Sequence, residues 1–145
     1  PSTNEVINVI EGPFFAQHDV DFLNDSTLVF FNNNSYVVWS NNGKEAPPDS
    51  TNLVLSGNFY SNIMSYNLRN KSFNVIGDSV FKANGIYSHT EGQVEFLNPS
   101  TYFVEEQNSG VIWIIRDDKV IYKNVFKSQH DGYHHLTNWI RIIKS

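Results

Sequence analysis

Cysteine is absent from the sequence, long hydrophobic runs are absent too, and charged residues make up only 17% of the 145 positions. Without cysteine the chain has no disulfide framework, no thiol nucleophile and no thiolate metal ligand. No segment approaches the roughly eighteen consecutive apolar residues of a transmembrane helix, and no charged-then-apolar leader opens the chain. We therefore expect no membrane span. The compartment is unknown, with a lean towards a secreted or periplasmic location.

The chain also lacks any cluster of lysine and arginine, and its formal net charge is -5. Binding to nucleic acid normally needs a concentrated basic surface, so we expect no nucleic-acid partner. No metal or other cofactor is expected either. His130 and Asp131 followed by His134 and His135 are residue types that bind zinc, but their spacing matches no standard ligand set.

Apolar and aromatic residues, in contrast, are plentiful, at 40% and 14% of the chain. This content is too high for a disordered protein, and the low charge is unusual for a helical or coiled-coil protein. A chain of 145 residues is long enough for one domain with a substantial core. The composition therefore favours a globular, β-rich domain.

An internal repeat is the strongest pattern in the sequence. Residues 22–27 read FLNDST and residues 96–101 read FLNPST, an offset of 74 positions. The same offset places Asn34-Ser35 on Asn108-Ser109. Repeats of this length are typical of proteins built from successive supersecondary units.

Alternating apolar and polar residues, broken by turn residues, predict strands within each repeat. The first repeat follows a short initial strand and contains one hairpin, a further short strand, a long loop and a second hairpin. The second repeat contains four strands and is followed by one more. The predicted strands are 6–10, 15–22, 27–31, 36–39, 62–68, 72–76, 86–96, 101–106, 111–115, 120–126 and 133–143. No helical stripe competes with this pattern.

Four antiparallel strands repeated along a chain are typical of a β-propeller blade. We predict a single all-β unit over 1–145, with blade A at 14–80, its long loop at 41–57, blade B at 86–127 and an extra terminal strand at 133–143. Two blades and one strand do not close a ring, because propellers normally have four to eight blades. A partner chain or further sequence would complete it. The alternative architecture is a β-sandwich or barrel.

Three segments carry a resemblance to a known family. In order they read GPFFAQHDVDFLNDSTLVFFNNN, FYSNIMSYNL and EGQVEFLNPSTYFVEEQNSGVIWII. This order resembles the later blades of arylsulfotransferase-like β-propellers, over nearly the whole chain. Family positions at the strand openings are held here by Gln17-His18-Asp19, Phe30-Phe31-Asn32-Asn33, Tyr60-Ser61-Asn62 and Glu91-Gly92-Gln93.

The resemblance implies transfer of a sulfuryl group from an aryl sulfate to a phenol, through a histidine that becomes sulfated. Neutral imidazole is a good nucleophile near pH 7. The candidate nucleophile is His18, where a family histidine falls, with His89 and His134 as further catalytic candidates. The candidate substrate-binding residues are Asn34, Tyr36, His135 and Arg141.

Two departures from the family pattern keep other functions open. Phe31 stands where the family has an aspartate, and the following loop lacks the family's anion-binding arginine. A ligand-binding propeller without catalysis is one alternative. The other is a split or truncated propeller subunit that a partner chain completes.

Overall fold

The computed structural model describes residues 4–6, 8–39, 53–57 and 60–143, with residues 36–39 and 53–57 described as backbone only. Ten strands, one short α-helix and a 3-10 turn make up the regular structure of this part of the chain. The strands are β1 (Gln17–Asn24), β2 (Thr27–Asn32), β3 (Ser35–Trp39), β4 (Leu53–Gly57), β5 (Asn62–Asn67), β6 (Ser72–Ile76), β7 (Gln93–Asn98), β8 (Thr101–Glu106), β9 (Val111–Arg116) and β10 (Lys119–Val125). The helix α1 spans Asp78–Asn84, and the 3-10 turn spans Gln107–Ser109.

The strands form two four-stranded antiparallel sheets, one for each sequence repeat. Sheet 1 has the order β1-β2-β5-β6 and sheet 2 the order β7-β8-β9-β10. The repeated FLN(D/P)ST segment forms the same turn in both, because it ends the first strand and starts the second. In each turn the asparagine side chain, Asn24 or Asn98, accepts a hydrogen bond from a serine N–H two residues on.

The long loop predicted for 41–57 is wrong at its C-terminal end. Leu53–Gly57 forms β4, which pairs with β3 as a separate antiparallel hairpin inserted between β2 and β5. Residues 40–52 lie outside the described residues. The small residues Ser56 and Gly57 made this segment look like loop, whereas the pairing with β3 makes it a strand.

The helix α1 was not predicted, because seven residues are too few to show a helical period. Glycines bound it on both sides: Gly77 precedes it with φ 70° and Gly85 follows it with φ 61°. Both values lie in the left-handed region that glycine adopts without steric cost. The helix buries Val80 and Phe81, so it serves to close the core between the repeats.

A hydrophobic core draws its residues from both sheets and from α1. Alternate residues of β2, Val29 and Phe31, enter this core, while Phe30 points to the opposite face of sheet 1. The buried members are Val29, Phe31, Ile63, Val80, Phe81, Ile86, Val94, Tyr102, Val104, Val111, Trp113 and Ile115. A smaller cluster on the other face joins Phe30, Met64 and Tyr66 to Ile10, Phe14 and Phe73.

The structure differs from the sequence prediction at both ends of the chain. Within the described part of 6–10 there is no strand. Residues 133–143 form no strand either, and His134 makes only an isolated bridge with Lys127. The N–H groups of Ile140 and Ile142 instead donate to the carboxylates of Glu105 and Glu95, at 2.8 and 3.3 Å. Side chains of sheet 2 thus satisfy backbone groups that a strand would pair with another strand.

The all-β class is confirmed, with two antiparallel four-stranded sheets. A four-stranded antiparallel sheet serves equally as a propeller blade or as a layer of a sandwich. No helix within the described ranges is long and apolar enough to cross a membrane.

Candidate functional site

His18 lies near the start of β1 and is half-buried. Its Nδ1 atom is 2.8 Å from Oδ1 of Asn33 and 3.2 Å from the carbonyl oxygen of Ala16. Oxygens of this kind are hydrogen-bond acceptors. Nδ1 therefore carries the proton and donates it, which leaves a lone pair on Nε2 of the neutral ring.

The orientation of the Asn33 amide supports this assignment. Its Nδ2 group donates to the carbonyl oxygen of Ser88, so Oδ1 is the atom that faces His18. Asn33 is fully buried, and a buried amide with both ends bonded cannot turn over without losing hydrogen bonds. The contacts of Asn33 thus favour the His18 tautomer that has its proton on Nδ1.

Asn33 belongs to a buried polar network that joins three segments of the chain. Ser61 Oγ donates to the carbonyl oxygens of Asn33 and Ser88, at 3.2 and 3.3 Å, and accepts from the Ser88 N–H at 3.0 Å. The Ser61 N–H in turn donates to the carbonyl of Ile86. Satisfied networks of this kind fix the position of their members, so the support for His18 is rigid.

A bulge in β1 sends His18 and Asp19 to different partners. The register of β1 against β2 shifts between His18 and Asp21, and Asp19 has φ 53°. The Asp19 Oδ2 atom accepts a hydrogen bond from the N–H of Val94 on β7, at 2.9 Å. Burial raises the pKa of Asp19, against the lowering effects of this hydrogen bond and of the positive charge of Arg141. Asp19 thus links the first strands of the two sheets and does not touch the ring of His18 through any hydrogen bond.

A cavity of about 90 Å³ lies beside His18. Its walls combine residues of sheet 2 with two residues of the C-terminal segment. The polar and aromatic lining residues are His18, Glu91, Gln93, Glu105, Gln107, Asn138 and Trp139. Arg141 does not line the cavity, but its guanidinium lies 5.8 Å from the centre of the Trp139 ring.

Two buried side chains of this cavity have polar atoms without a hydrogen-bond partner among the described residues. Gln93 and Glu105 are directly paired across β7 and β8 and are 2% and 1% exposed. Both amide atoms of Gln93 and the Oε1 atom of Glu105 are unpartnered, whereas Oε2 of Glu105 accepts from Ile140. Buried polar atoms of this kind usually bind water or a ligand.

The other two candidate histidines do not line this cavity. His89 is half-buried, its ring is 6.4 Å from that of Tyr87, and its carbonyl accepts from Ser35 Oγ. His134 is exposed and its Nε2 is 2.7 Å from the carbonyl oxygen of Asn108. That acceptor requires the proton on Nε2, so the lone pair of a neutral His134 would be on Nδ1.

The three candidate substrate-binding residues whose side chains are described have different surroundings. Asn34, with φ 55°, donates from Nδ2 to the carbonyl of Tyr60 at 3.3 Å. His135 is exposed, and its N–H donates to the carbonyl of Phe126 at 2.7 Å. Arg141 does not line the cavity, but its guanidinium lies 5.8 Å from the centre of the ring of Trp139, which does. Tyr36 lies in β3, and its side chain is outside the described residues.

Gln93, Glu105 and Asn33 were missed as site residues in the sequence. A signal for two of them was present, because the β7–β8 turn fixes which residues face each other across the hairpin. A glutamine opposite a glutamate within an apolar strand is unusual, since buried carboxylates need partners. In the parts of the chain that the structure describes, no three His, Cys, Asp or Glu side chains group together as metal ligands would.

Comparison with known proteins gives a match to a family model. A search of curated proteins and a search of solved structures returned none. The family model described as Arylsulfotransferase (ASST) matches residues 1–130, which include both sheets and His18. This range covers most of the chain and agrees with the resemblance of its strand-opening segments. The chain belongs to the arylsulfotransferase family.

Proposed function

We propose that this chain forms part of an arylsulfotransferase-like propeller in which His18 relays a sulfuryl group from an aryl sulfate to a phenol. The observation that carries this proposal is the pair of acceptors on His18 Nδ1, Asn33 Oδ1 at 2.8 Å and Ala16 O at 3.2 Å. They leave Nε2 as a free nitrogen lone pair next to a cavity, which nucleophilic catalysis by histidine requires.

The chemistry follows from that tautomer. Nε2 of His18 attacks the sulfur of the aryl sulfate, an N–S bond forms, and the S–O bond to the aryl group breaks with release of a phenolate. The sulfated imidazole still has its proton on Nδ1, and the positive charge on the ring strengthens the hydrogen bond to Asn33 Oδ1. A phenol oxygen then attacks the sulfur, the N–S bond breaks, and the phenol proton passes to solvent.

The arrangement of the sheets supports a propeller. β1 and β7, the equivalent first strands of the two repeats, lie next to each other and are joined by Asp19 and Val94. In a propeller the first strands of successive blades line the axis. The C-terminal segment then takes the next place after β7 in this order of first strands, because its N–H groups donate to Glu95 and Glu105 of sheet 2. Residues of further blades would complete the ring.

Among the predicted residues, Arg141 is the best placed cation for a sulfate group. It lies close enough to Asp19 to lower that residue's pKa and contacts the Trp139 ring on the cavity wall. We keep His89 and His134 as alternative nucleophiles, and Asn34, Tyr36 and His135 as substrate-binding candidates. The hydrogen bonds of His134 and Asn34 and the exposure of His135 favour these residues less than the contacts of Nδ1 favour His18.

An assay with an aryl sulfate that releases a coloured phenol tests the proposal. The full chain is incubated with donor and with a phenol acceptor, and both the released phenol and the sulfated acceptor are measured. The expected result is turnover by the wild type, loss of turnover in His18→Gln, and retention in His89→Gln and His134→Gln. Turnover that survives His18→Gln would remove His18 from the mechanism.

A second candidate function is binding without catalysis, and the carboxylates of Glu91 and Glu105 favour it. Both line the cavity beside His18, where negative charge opposes the entry of an anionic sulfate ester. Absence of turnover together with saturable ligand binding would support this function.

Completion of the ring by a partner chain or by further blades outside this sequence is part of both candidates. Gel filtration of the full chain addresses it, since the two sheets alone do not close a propeller. A compact monomer of these 145 residues alone would contradict this part of the proposal.

A further inference from the structure

The sequence contains three Asn-x-Ser sequons, the acceptor motif of N-linked glycans, in which the middle residue is not proline. Their asparagines are Asn24, Asn33 and Asn70. A motif this short occurs by chance in an asparagine-rich chain, so a second criterion is needed. A glycan is bulky, and the folded chain must leave room for it at the side-chain nitrogen, Nδ2.

Asn33 has no such room. Its side chain is fully buried, and its Nδ2 donates a hydrogen bond to the carbonyl oxygen of Ser88, 55 residues further along the chain. A sugar on this nitrogen would push the two segments apart and leave buried polar groups without partners. Asn33 therefore carries no glycan in the folded protein.

Asn24 is exposed, but it lies on the side of sheet 1 that meets sheet 2. It ends β1, the strand that contacts β7. It also lines a cavity together with Phe96, Asn98 and Pro99 of sheet 2. The chain returns to half-buried positions directly after Asp25. A glycan on Asn24 would therefore stand in the space between the two sheets.

Asn70 lies in the turn between β5 and β6, at the edge of sheet 1 opposite β1. All residues of 68–72 are exposed. Oδ1 of Asn70 accepts hydrogen bonds from the N–H and the hydroxyl of Ser72, at 3.1 and 2.6 Å. Its Nδ2 makes no hydrogen bond within the part of the chain that the structure describes. Replacing one hydrogen of Nδ2 by a sugar therefore breaks none of the described contacts.

We propose that Asn70 is the acceptor of an N-linked glycan, which an oligosaccharyltransferase supplies from a lipid-linked oligosaccharide. Nδ2 attacks C1 of the first sugar, an N–C bond forms, and the bond from C1 to the lipid pyrophosphate breaks. The lipid pyrophosphate leaves, and one proton of Nδ2 passes to a base. The glycan then stands at the start of β6, the free edge strand of sheet 1, where it hinders pairing with another sheet edge. Nothing in this proposal depends on sulfuryl transfer.

Mass spectrometry of the protein isolated from the organism that makes it tests the assignment. Peptide N-glycosidase converts a glycosylated asparagine to aspartate. Position 70 is therefore expected to be aspartate only after this treatment, whereas Asn24 and Asn33 stay asparagine. Asn98 is an internal control, because it forms the same turn with Ser100 but is followed by Pro99. An unmodified Asn70 would overturn the proposal, and so would a glycan on Asn24 with Asn70 bare.

Two serine variants of the full chain, secreted from yeast cells, provide a matched comparison. Ser72→Ala removes the hydroxyl that bonds Asn70 and with it the sequon, and Ser26→Ala does the same at Asn24. We expect Ser72→Ala to lose the whole glycan-dependent shift in gel mobility and Ser26→Ala to keep it. Ser72→Thr retains a hydroxyl at this position and should keep the shift as well.

The remaining results contradict the assignment. A shift that persists in Ser72→Ala would place the glycan on another residue. A glycan on Asn33 of the secreted, folded chain would be incompatible with the burial of that side chain. If Ser72→Ala is not secreted, Asn70→Gln supplies the comparison, because it removes the acceptor while keeping an amide.

Discussion

The carboxylate of Asp19 accepts a hydrogen bond from the N–H of Val94 at 2.9 Å. This one bond joins β1 of sheet 1 to β7 of sheet 2. It exists because a bulge after His18 turns Asp19, at φ 53°, towards the neighbouring sheet. We therefore expect Asp19→Ala, which removes the acceptor, and Asp19→Asn, which removes only its charge, to change the free energy of unfolding by different amounts.

Asp19→Ala is expected to lower the free energy of unfolding by about 1–3 kcal/mol, because the N–H of Val94 is left without an acceptor. Asp19→Asn keeps an oxygen in the same place and is expected to change stability by less than about 1 kcal/mol at pH 7. Urea denaturation of both variants measures this. Equal losses in the two would contradict the importance of the Val94 bond.

The pH dependence of stability gives a second prediction for Asp19. Burial raises the pKa of Asp19 above its ordinary value of 3.8. The unfolded chain therefore releases this proton at lower pH than the folded chain, and the free energy of unfolding falls as the pH rises from 3.8 through the folded pKa. Over this pH range, the free energy of unfolding of Asp19→Asn is expected to rise relative to that of the wild type.

The control for that experiment is Asp25→Asn, which changes an exposed aspartate in the β1–β2 turn. Its stability difference from wild type is expected to stay flat over the same window. Glu106, whose pKa is also raised by burial, contributes to wild type and variants alike and cancels in the comparison. A flat difference for Asp19→Asn would contradict the raised pKa.

Gly92→Ala is predicted to destabilise the protein, because a Cβ atom at this position would overlap the ring of Phe31. Phe31 is fully buried in the core between the sheets, so the ring has no free space to move into. Overpacking of this kind typically costs about 1–3 kcal/mol. Phe31→Leu makes room for the methyl group, so the double variant is expected to lose less than the sum of the two single variants. If the losses of unfolding free energy of the two single variants simply add in the double variant, the contact between position 92 and the Phe31 ring is unimportant.

Asn33→Ala is predicted to change the tautomer of His18. In the wild type both partners of Nδ1 are oxygens, so nitrogen-15 NMR of His18 is expected to show the Nδ1–H form. Without Asn33 Oδ1, the weaker bond to Ala16 remains and the Nε2–H form gains population, because it is the form usually preferred when neither nitrogen has a partner. Asn34→Ala is the control and should leave the His18 signals unchanged. A wild-type ring in the Nε2–H form would contradict the assignment.

Much of the fold was predictable because the repeat and the turn residues are local signals. The match of residues 22–27 with 96–101 placed both hairpin turns, and the eight strands of the two sheets follow from alternation and turns. The helix α1 and the strand β4 were not predictable in this way. Each is short, and its conformation depends on what packs or pairs with it.

The C-terminal segment shows why strand propensity alone misleads. Residues 133–143 are rich in β-branched and aromatic residues, yet the N–H groups of Ile140 and Ile142 bond to the carboxylates of Glu105 and Glu95 and not to a strand. Propensity describes how a residue fits a sheet that is present, and it does not supply the neighbouring strand.

For the site, the sequence indicated His18 but not what holds it. The partner Asn33 lies 15 residues away and looks like one of several asparagines that follow β2. Its role depends on the carbonyl of Ser88, 55 residues further on. Such contacts between distant segments exist only once the two sheets have packed.

The central claim is that Nε2 of His18 accepts the sulfuryl group. Incubating the full chain with an aryl sulfate in the absence of a phenol acceptor should trap the sulfated histidine, because the second transfer then has no partner. Digestion at alkaline pH followed by mass spectrometry locates the group. We predict a sulfuryl adduct on His18 that disappears when a phenol is added and is missing from His18→Gln. An adduct on His89 or His134, or none at all on a chain that still turns over the donor, would contradict the account.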